Sequence, residues 1–157
     1  MLIISAKLTR KQLILLFCSL GAAVVLIIML VSVFRAGSAI PGYSGVKTRE
    51  DRLTFIRSFG WEVDAAGEQA DTVLIPETFD AVYEQYNKMQ IEQGLDLRYL
   101  VGREVERYSY PVLNYPSGEE YVRITLLIYK DKVVAGDVAS PALDGFMHGF
   151  SFDKGGA

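Results

Sequence analysis

The chain has one histidine, His148, in the stretch LDGFMHGF (143–150), with Asp144 four residues before it and Asp137 a little further upstream. An imidazole with carboxylates can form an acid–base pair or contribute to a metal site. Asp137, Asp144 and His148 are therefore the candidate catalytic residues, and the enzyme they would serve is a small hydrolase or metal-dependent enzyme. Their spacing matches no metalloprotease or zinc signature, so no metal site is assigned to them. A second reading competes. Phe146, Met147, His148 and Phe150 can pack a C-terminal tail onto the rest of the domain, with the ring nitrogens satisfied by hydrogen bonds. Nucleophilic catalysis has little other support. There is no GxSxG sequence, and the single cysteine, Cys18, lies in an apolar run where it reads as a small hydrophobe. Glu104, Glu106, Glu119 and Glu120 are close in sequence, but glycoside hydrolysis needs two carboxylates at a set separation across a cleft. No glycine-rich loop leads from a strand into a helix, and no cofactor is implied.

A different set could bind rather than react. Tyr108 and Tyr110 alternate along one segment, and Tyr121, Arg123 and Tyr129 along the next. On one sheet face they would form an aromatic and arginine-bearing contact surface for a protein or envelope partner, because large rigid rings give contact area at low entropic cost. The alternative is that Tyr108 and Tyr110 are core residues, with Pro111 introducing a bulge that changes which face they occupy.

The last third of the chain must position both sets, and it is β-rich. REVERYSYPVLNY (103–115) and EYVRITLLIY (120–129) flank a PSGE hairpin loop, and VVAGDV (133–138) follows a turn at Lys130–Lys132. In the second strand Val122, Ile124, Leu126 and Ile128 face a core, while Arg123, Thr125 and Tyr129 face away with Leu127 among them. Before this region, Thr48 and Asp51 make a capping-box start for a helix carrying Leu53, Phe55, Ile56 and Phe59, stopped by Gly60. Trp61–Val63 and 72–76 read as short strands. Pro76 opens a second amphipathic helix over 77–93, with Phe79, Val82, Tyr83, Tyr86 and Met89 as its apolar stripe. Glu84, Asn87, Lys88 and Glu92 form its solvated face. The expected fold is α+β, two amphipathic helices on one face of an antiparallel β-meander.

The front of the chain is of another kind. Residues 13–34 carry no charge, and a helix of that length reaches roughly 33 Å, enough for a hydrocarbon core of about 30 Å. A transmembrane helix is expected there, with the lipid bilayer as its partner. Lys7, Arg10 and Lys11 precede it and only Arg35 follows closely, which favours a short cytoplasmic segment at 1–12 and a domain outside. A secreted form after cleavage near Ala39 is the alternative. Residues 35–47 read as a flexible linker, 48–150 as the extracytoplasmic domain and 151–157 as a tail. Of the 16 basic residues four precede position 36, and all 19 acidic ones follow position 49, so the remainder of the chain carries a net charge of -7. Such a domain repels phosphate backbones, which argues against nucleic acid as a partner.

EDRLTFIRSFGWEV (50–63), YEQYNKMQIEQGLDL (83–97), RYSYPVLNYP (107–116) and LLIYKDKVVAGDVASPALDGFMHGF (126–150), in that order, resemble the bacterial family labelled domain of unknown function 4830. The resemblance covers about 48–150 and implies a single-span, membrane-anchored or exported protein of the Firmicutes. Members with a cysteine near position 139 differ from this chain, which has Ala139, so a role needing that thiol does not carry over. The resemblance brings no activity with it. The expected function is an extracytoplasmic binding or accessory module of the bacterial cell envelope, held at the membrane by its anchor.

Overall fold

The computed structural model describes residues 21–27, 40–116, 118–119 and 121–151. The chain divides into two units, Met1–Ala39 and Ile40–Ala157. In the first, residues 21–27 are helical and Val24, Val25, Leu26 and Ile27 are exposed. The rest of the span expected at 13–34 lies outside the described residues. Among the described residues no helix is long and apolar enough to cross a membrane.

The second unit is an α+β domain around one six-stranded antiparallel sheet. Its strands are β1 (Tyr43–Ser44), β2 (Gln69–Leu74), β3 (Glu104–Pro111), β4 (Arg123–Tyr129), β5 (Lys132–Ala139) and β6 (Met147–His148). They run in the order β1-β5-β4-β3-β2, and β6 also pairs with β5. The expected meander is present as β3 to β5, and β2 adds to its edge beside β3. Trp61–Val63 is not a strand; only Val63 makes a bridge, to Val112. Part of the segment read as a linker is folded, since β1 pairs with β5 and Val46 is buried.

Helix α1 spans Arg49–Ser58. The Thr48 side chain accepts from the Asp51 amide at 3.2 Å, and the Asp51 carboxylate accepts from the Thr48 amide at 2.7 Å, the reciprocal capping box. Gly60 follows at φ 87°, where a residue without Cβ costs least. Helix α2 spans Ala81–Glu92 and begins later than Pro76 suggests. Asp80 decides the start: its carboxylate accepts from the Tyr83 amide at 2.7 Å.

The two helices lie on opposite faces of the sheet, not on one. Leu53 and Ile56 of α1 join Ile124, Leu126, Ile128 and Tyr110 in one core, together with Trp61 and Phe150. Tyr83 and Tyr86 of α2 pack against Leu127, Val134 and Ala135 in a second core, which also holds Leu97 and Leu100 of a 3-10 turn, Leu97–Leu100. Successive strand side chains point to opposite faces, so Ile124 and Leu126 serve the first core and Leu127 the second. A register shift at Leu127/Ile128 leaves Val134 as an extra residue, so the adjacent Val134 and Ala135 both enter the second core while Val133 enters the first.

The inward side of α2 is also not the one that hydropathy selects. Asn87, expected on the solvated face, is fully buried, as is Gln90, while Val82 is 78% exposed. Backbone groups explain the rotation. Asn87 Oδ1 accepts from the Leu97 amide at 2.8 Å and its Nδ2 donates to Asp96 at 3.0 Å. Gln90 Oε1 accepts from the Gly136 amide at 2.9 Å, on a stretch of β5 between its pairings with β1 and β6. A buried amide without a partner is costly, and these two side chains supply the partners. We expect Asn87→Ala to lower the unfolding free energy by about 1–3 kcal/mol, read as a shift in the urea midpoint at unchanged slope. An unchanged midpoint would show that the Leu97 amide finds water instead.

Candidate functional site

The expected aromatic surface does not come together. Cross-strand pairing sets Tyr110 opposite Ile124 and Tyr108 opposite Leu126, on the side of the α1 core. Tyr110 is fully buried. Its hydroxyl accepts from Arg52 Nε at 2.8 Å and donates to Glu68, and Arg52 Nη2 lies 3.3 Å from Glu68 Oε2. Burial and the bond to Glu68 push the Tyr110 phenol up to about 12. The Arg52 guanidinium lies 3.7 Å over the Tyr108 ring and covers it. Arg123 and Tyr129 point to the other face, and Tyr121 lies outside the sheet, 78% exposed at φ 67°. Register separates the set: the loop from Val112 to Val122 aligns the β3 tyrosines with the aliphatic side of β4.

Asp137, Asp144 and His148 do not converge either. Asp144 is exposed in the loop between β5 and β6. His148 pairs with Val138, so its ring takes the α1 side, stacked with Tyr115 and Phe146. Its Nδ1 is 2.7 Å from Gly149 O and its Nε2 is 3.3 Å from the Tyr115 hydroxyl. A carbonyl only accepts, so Nδ1 carries a proton and donates it to Gly149 O. Asp137 points the opposite way, toward α2. Among the described residues no group of three or more His, Cys, Asp or Glu side chains could hold a metal ion.

Asp137 instead stands in the floor of a groove. A space of about 1340 Å³ opens between α2 and the sheet face that α2 only partly covers. The pairing places the floor side chains in rows across the strands. Gln69, Ser109, Thr125 and Asp137 are successive partners on β2, β3, β4 and β5, a polar row. Three strand spacings of about 4.8 Å make it roughly 14 Å long. On one side runs the row Asp71, Arg107 and Leu127; on the other, Arg123, Ala139 and Met147. The wall is α2, with Val82, Tyr83, Gln85, Tyr86 and Met89 turned toward the groove by the inward position of Asn87 and Gln90.

The charges along this floor are unevenly matched. Arg107 is held by Asp71, with Nε 2.7 Å from Oδ1, and that pairing lowers the Asp71 carboxyl. Arg123 donates from Nε to Ser109 Oγ at 2.8 Å and from Nη2 to the Ser109 and Gly67 carbonyls at 2.8 and 3.1 Å. Among the described residues it has no carboxylate partner, and burial lowers its pKa. Asp137 is 6% exposed and accepts one hydrogen bond, from the Tyr86 hydroxyl at 3.0 Å. Burial raises its carboxyl to about 6, against the lowering effects of Tyr86 and of the more distant Arg107. A cleft with a few convergent polar groups and a shifted carboxyl has the form of a ligand site.

Residues 55–138, more than half of the chain, match the model of a family described as a domain of unknown function, DUF4830. The chain belongs to this family. No curated protein and no solved structure matches it. The match takes in the polar row of the groove floor from Gln69 to Asp137 and most of the α1 core. It stops short of Phe150, which is fully buried, so the folded DUF4830 unit of this chain extends past the matched stretch.

Two of the sequence candidates, Arg123 and Asp137, thus meet on one face, although they were drawn from different hypotheses. Ser109, Thr125 and Tyr86 were not singled out. A hydroxyl on a half-buried strand carries no signal of its own, and Tyr86 counts as apolar in a helical stripe until its hydroxyl is seen against Asp137.

Proposed function

We propose that this chain is a membrane-tethered, extracytoplasmic binding module of the cell envelope, whose ligand occupies the groove between α2 and the sheet. One observation carries the groove assignment: a buried carboxylate, and an arginine with no carboxylate partner among the described residues, lie beside the neutral hydrogen-bonding groups Ser109 and Thr125, under an aromatic wall. Burying an ionised group is unfavourable unless something is gained from it, and a site that recognises polar ligands gains from it. The central row of the floor is polar, which suits a small hydrated ligand better than an apolar protein face.

The tether rests on the uncharged stretch 13–34 and the excess of basic residues before it. Val24 to Ile27, helical and exposed, present the surface that lipid accepts. We expect the full-length chain to fractionate with membranes, to be released by detergent and not by high salt, and to lose residues beyond 40 when protease is added to intact cells. Recovery in the soluble fraction would overturn the tether and leave the groove untouched. The groove is tested by amide chemical shifts during titration with a library of small polar compounds. Shifts clustered on Gln69, Ser109, Thr125 and Asp137 are expected. A library whose hits all map elsewhere would overturn the assignment.

A further inference from the structure

The groove holds two opposite charges that do not neutralise one another. Arg123 pairs across the strands with Ala139, and Thr125 with Asp137, so Arg123 and Asp137 are diagonal neighbours on one face. Diagonal positions on adjacent strands lie roughly 7–8 Å apart at Cα, within reach of an arginine. Yet the Arg123 guanidinium is drawn the other way, toward Ser109 and the Gly67 carbonyl. Asp137 is fixed by Tyr86 from above. Between them lie the neutral side chains of Thr125 and Ser109, whose hydroxyls are 3.5 Å apart.

From this arrangement we infer that the groove recognises a zwitterion, an amino acid or short peptide, with its carboxylate on Arg123 and its ammonium on Asp137. The inference rests on the groove being a ligand site, as above. A zwitterion supplies a counter-charge to each group without adding net charge. Arg123 has its planar fork partly committed to Ser109, but its remaining donors suit a carboxylate. Asp137 has one oxygen engaged by Tyr86 and is an acceptor on the other. An ammonium provides three donors, enough to meet Asp137 and the Thr125 hydroxyl together. A neutral sugar would leave both charges unmatched, and a dianion would be repelled by Asp137.

The test titrates the full-length chain with alanylalanine, its N-acetyl derivative and its C-terminal amide, by calorimetry and amide chemical shifts. The unmodified dipeptide is expected to bind with shifts at Thr125 and Asp137. Losing a charge-assisted bond weakens binding by about tenfold or more, so acetylation and amidation should each do so. Asp137→Asn should erase the acetylation difference and Arg123→Gln the amidation difference. Arg123→Lys, which keeps the charge but not the fork, should bind with intermediate affinity and guards against misfolding of the glutamine variant. Equal binding of the three forms would overturn the inference. So would no binding of alanylalanine at millimolar concentration while neutral compounds still occupy the groove. If nothing from either set binds there, both the inference and the groove assignment fail.

Discussion

Phe150→Ala will cost the domain about 3–5 kcal/mol of unfolding free energy, a large share of the 5–15 kcal/mol typical of a folded domain. Phe150 is fully buried, and its ring meets Phe55 at 5.2 Å and Phe59 at 5.3 Å. Its carbonyl accepts from Trp61 Nε1 at 2.7 Å, and its amide donates to Gln93 Oε1 at 2.7 Å. One residue thus ties α1, Trp61 and the C-terminal end of α2 to the sheet. The sheet makes room for it. At Gly136 an added Cβ would stand 2.2 Å from the Phe150 ring and 2.4 Å from the Thr125 carbonyl, so only glycine lets the ring lie on β5. Removing the ring leaves a cavity bordered by β5 and α1, which relaxes poorly because a strand paired within the sheet and a helix fix its walls. Urea unfolding of the full-length chain checks this. A loss below about 1 kcal/mol would show that the segment after β5 is an appendage and that the matched stretch, 55–138, holds the core alone.

Asp137→Asn will move stability the other way. The asparagine carbonyl can still accept from Tyr86, and no charge has to be buried. The folded carboxyl titrates at about 6, above the value of roughly 3.9 for an unfolded aspartate. Below pH 4 both states hold the proton and Asp137 costs nothing. Between pH 4 and 6 the unfolded chain loses its proton while the folded domain keeps it, so stability falls as pH rises. Above pH 6 the penalty is complete, about 3 kcal/mol for a difference of two units as an upper figure. Asp51, Glu68 and Asp71, whose carboxyls are lowered, pull in the opposite direction as pH falls. The difference between wild type and variant therefore isolates Asp137, with Tyr86 and Arg107 facing it in both proteins. The variant should be more stable at pH 7.5, and its advantage should vanish by pH 4. A variant less stable than wild type at pH 7.5 would mean that Asp137 braces the fold instead of burdening it.

The two results bear on function together. A fold that keeps a destabilising carboxylate in an open groove, where a neutral isostere would fit, holds it for something other than stability. Residues of this kind are where local consistency between sequence and fold breaks down, and they mark sites.

Much of the architecture follows from local rules written in the chain. Thr48 and Asp51 specify the start of α1 because a capping box needs only residues three apart. The alternation from Ile124 to Ile128 specifies a strand, and Gly60 and Gly94 mark the helix ends through their positive φ. The charge-free run at 13–34 sets the front of the chain apart from the acidic domain. Contacts between segments distant in sequence decided the rest. Which face Tyr108 and Tyr110 take depends on the register of β3 on β4, and a shift by one residue would exchange every side chain between the two cores. Which side of α2 turns inward depends on the Leu97 and Gly136 amides, whose need for partners outweighs the hydrophobic stripe. The polar row is a row only because four strands align Gln69, Ser109, Thr125 and Asp137 across more than sixty residues of chain. Periodicity is a local property and fixes elements; register is a property of pairs of elements and fixes the site.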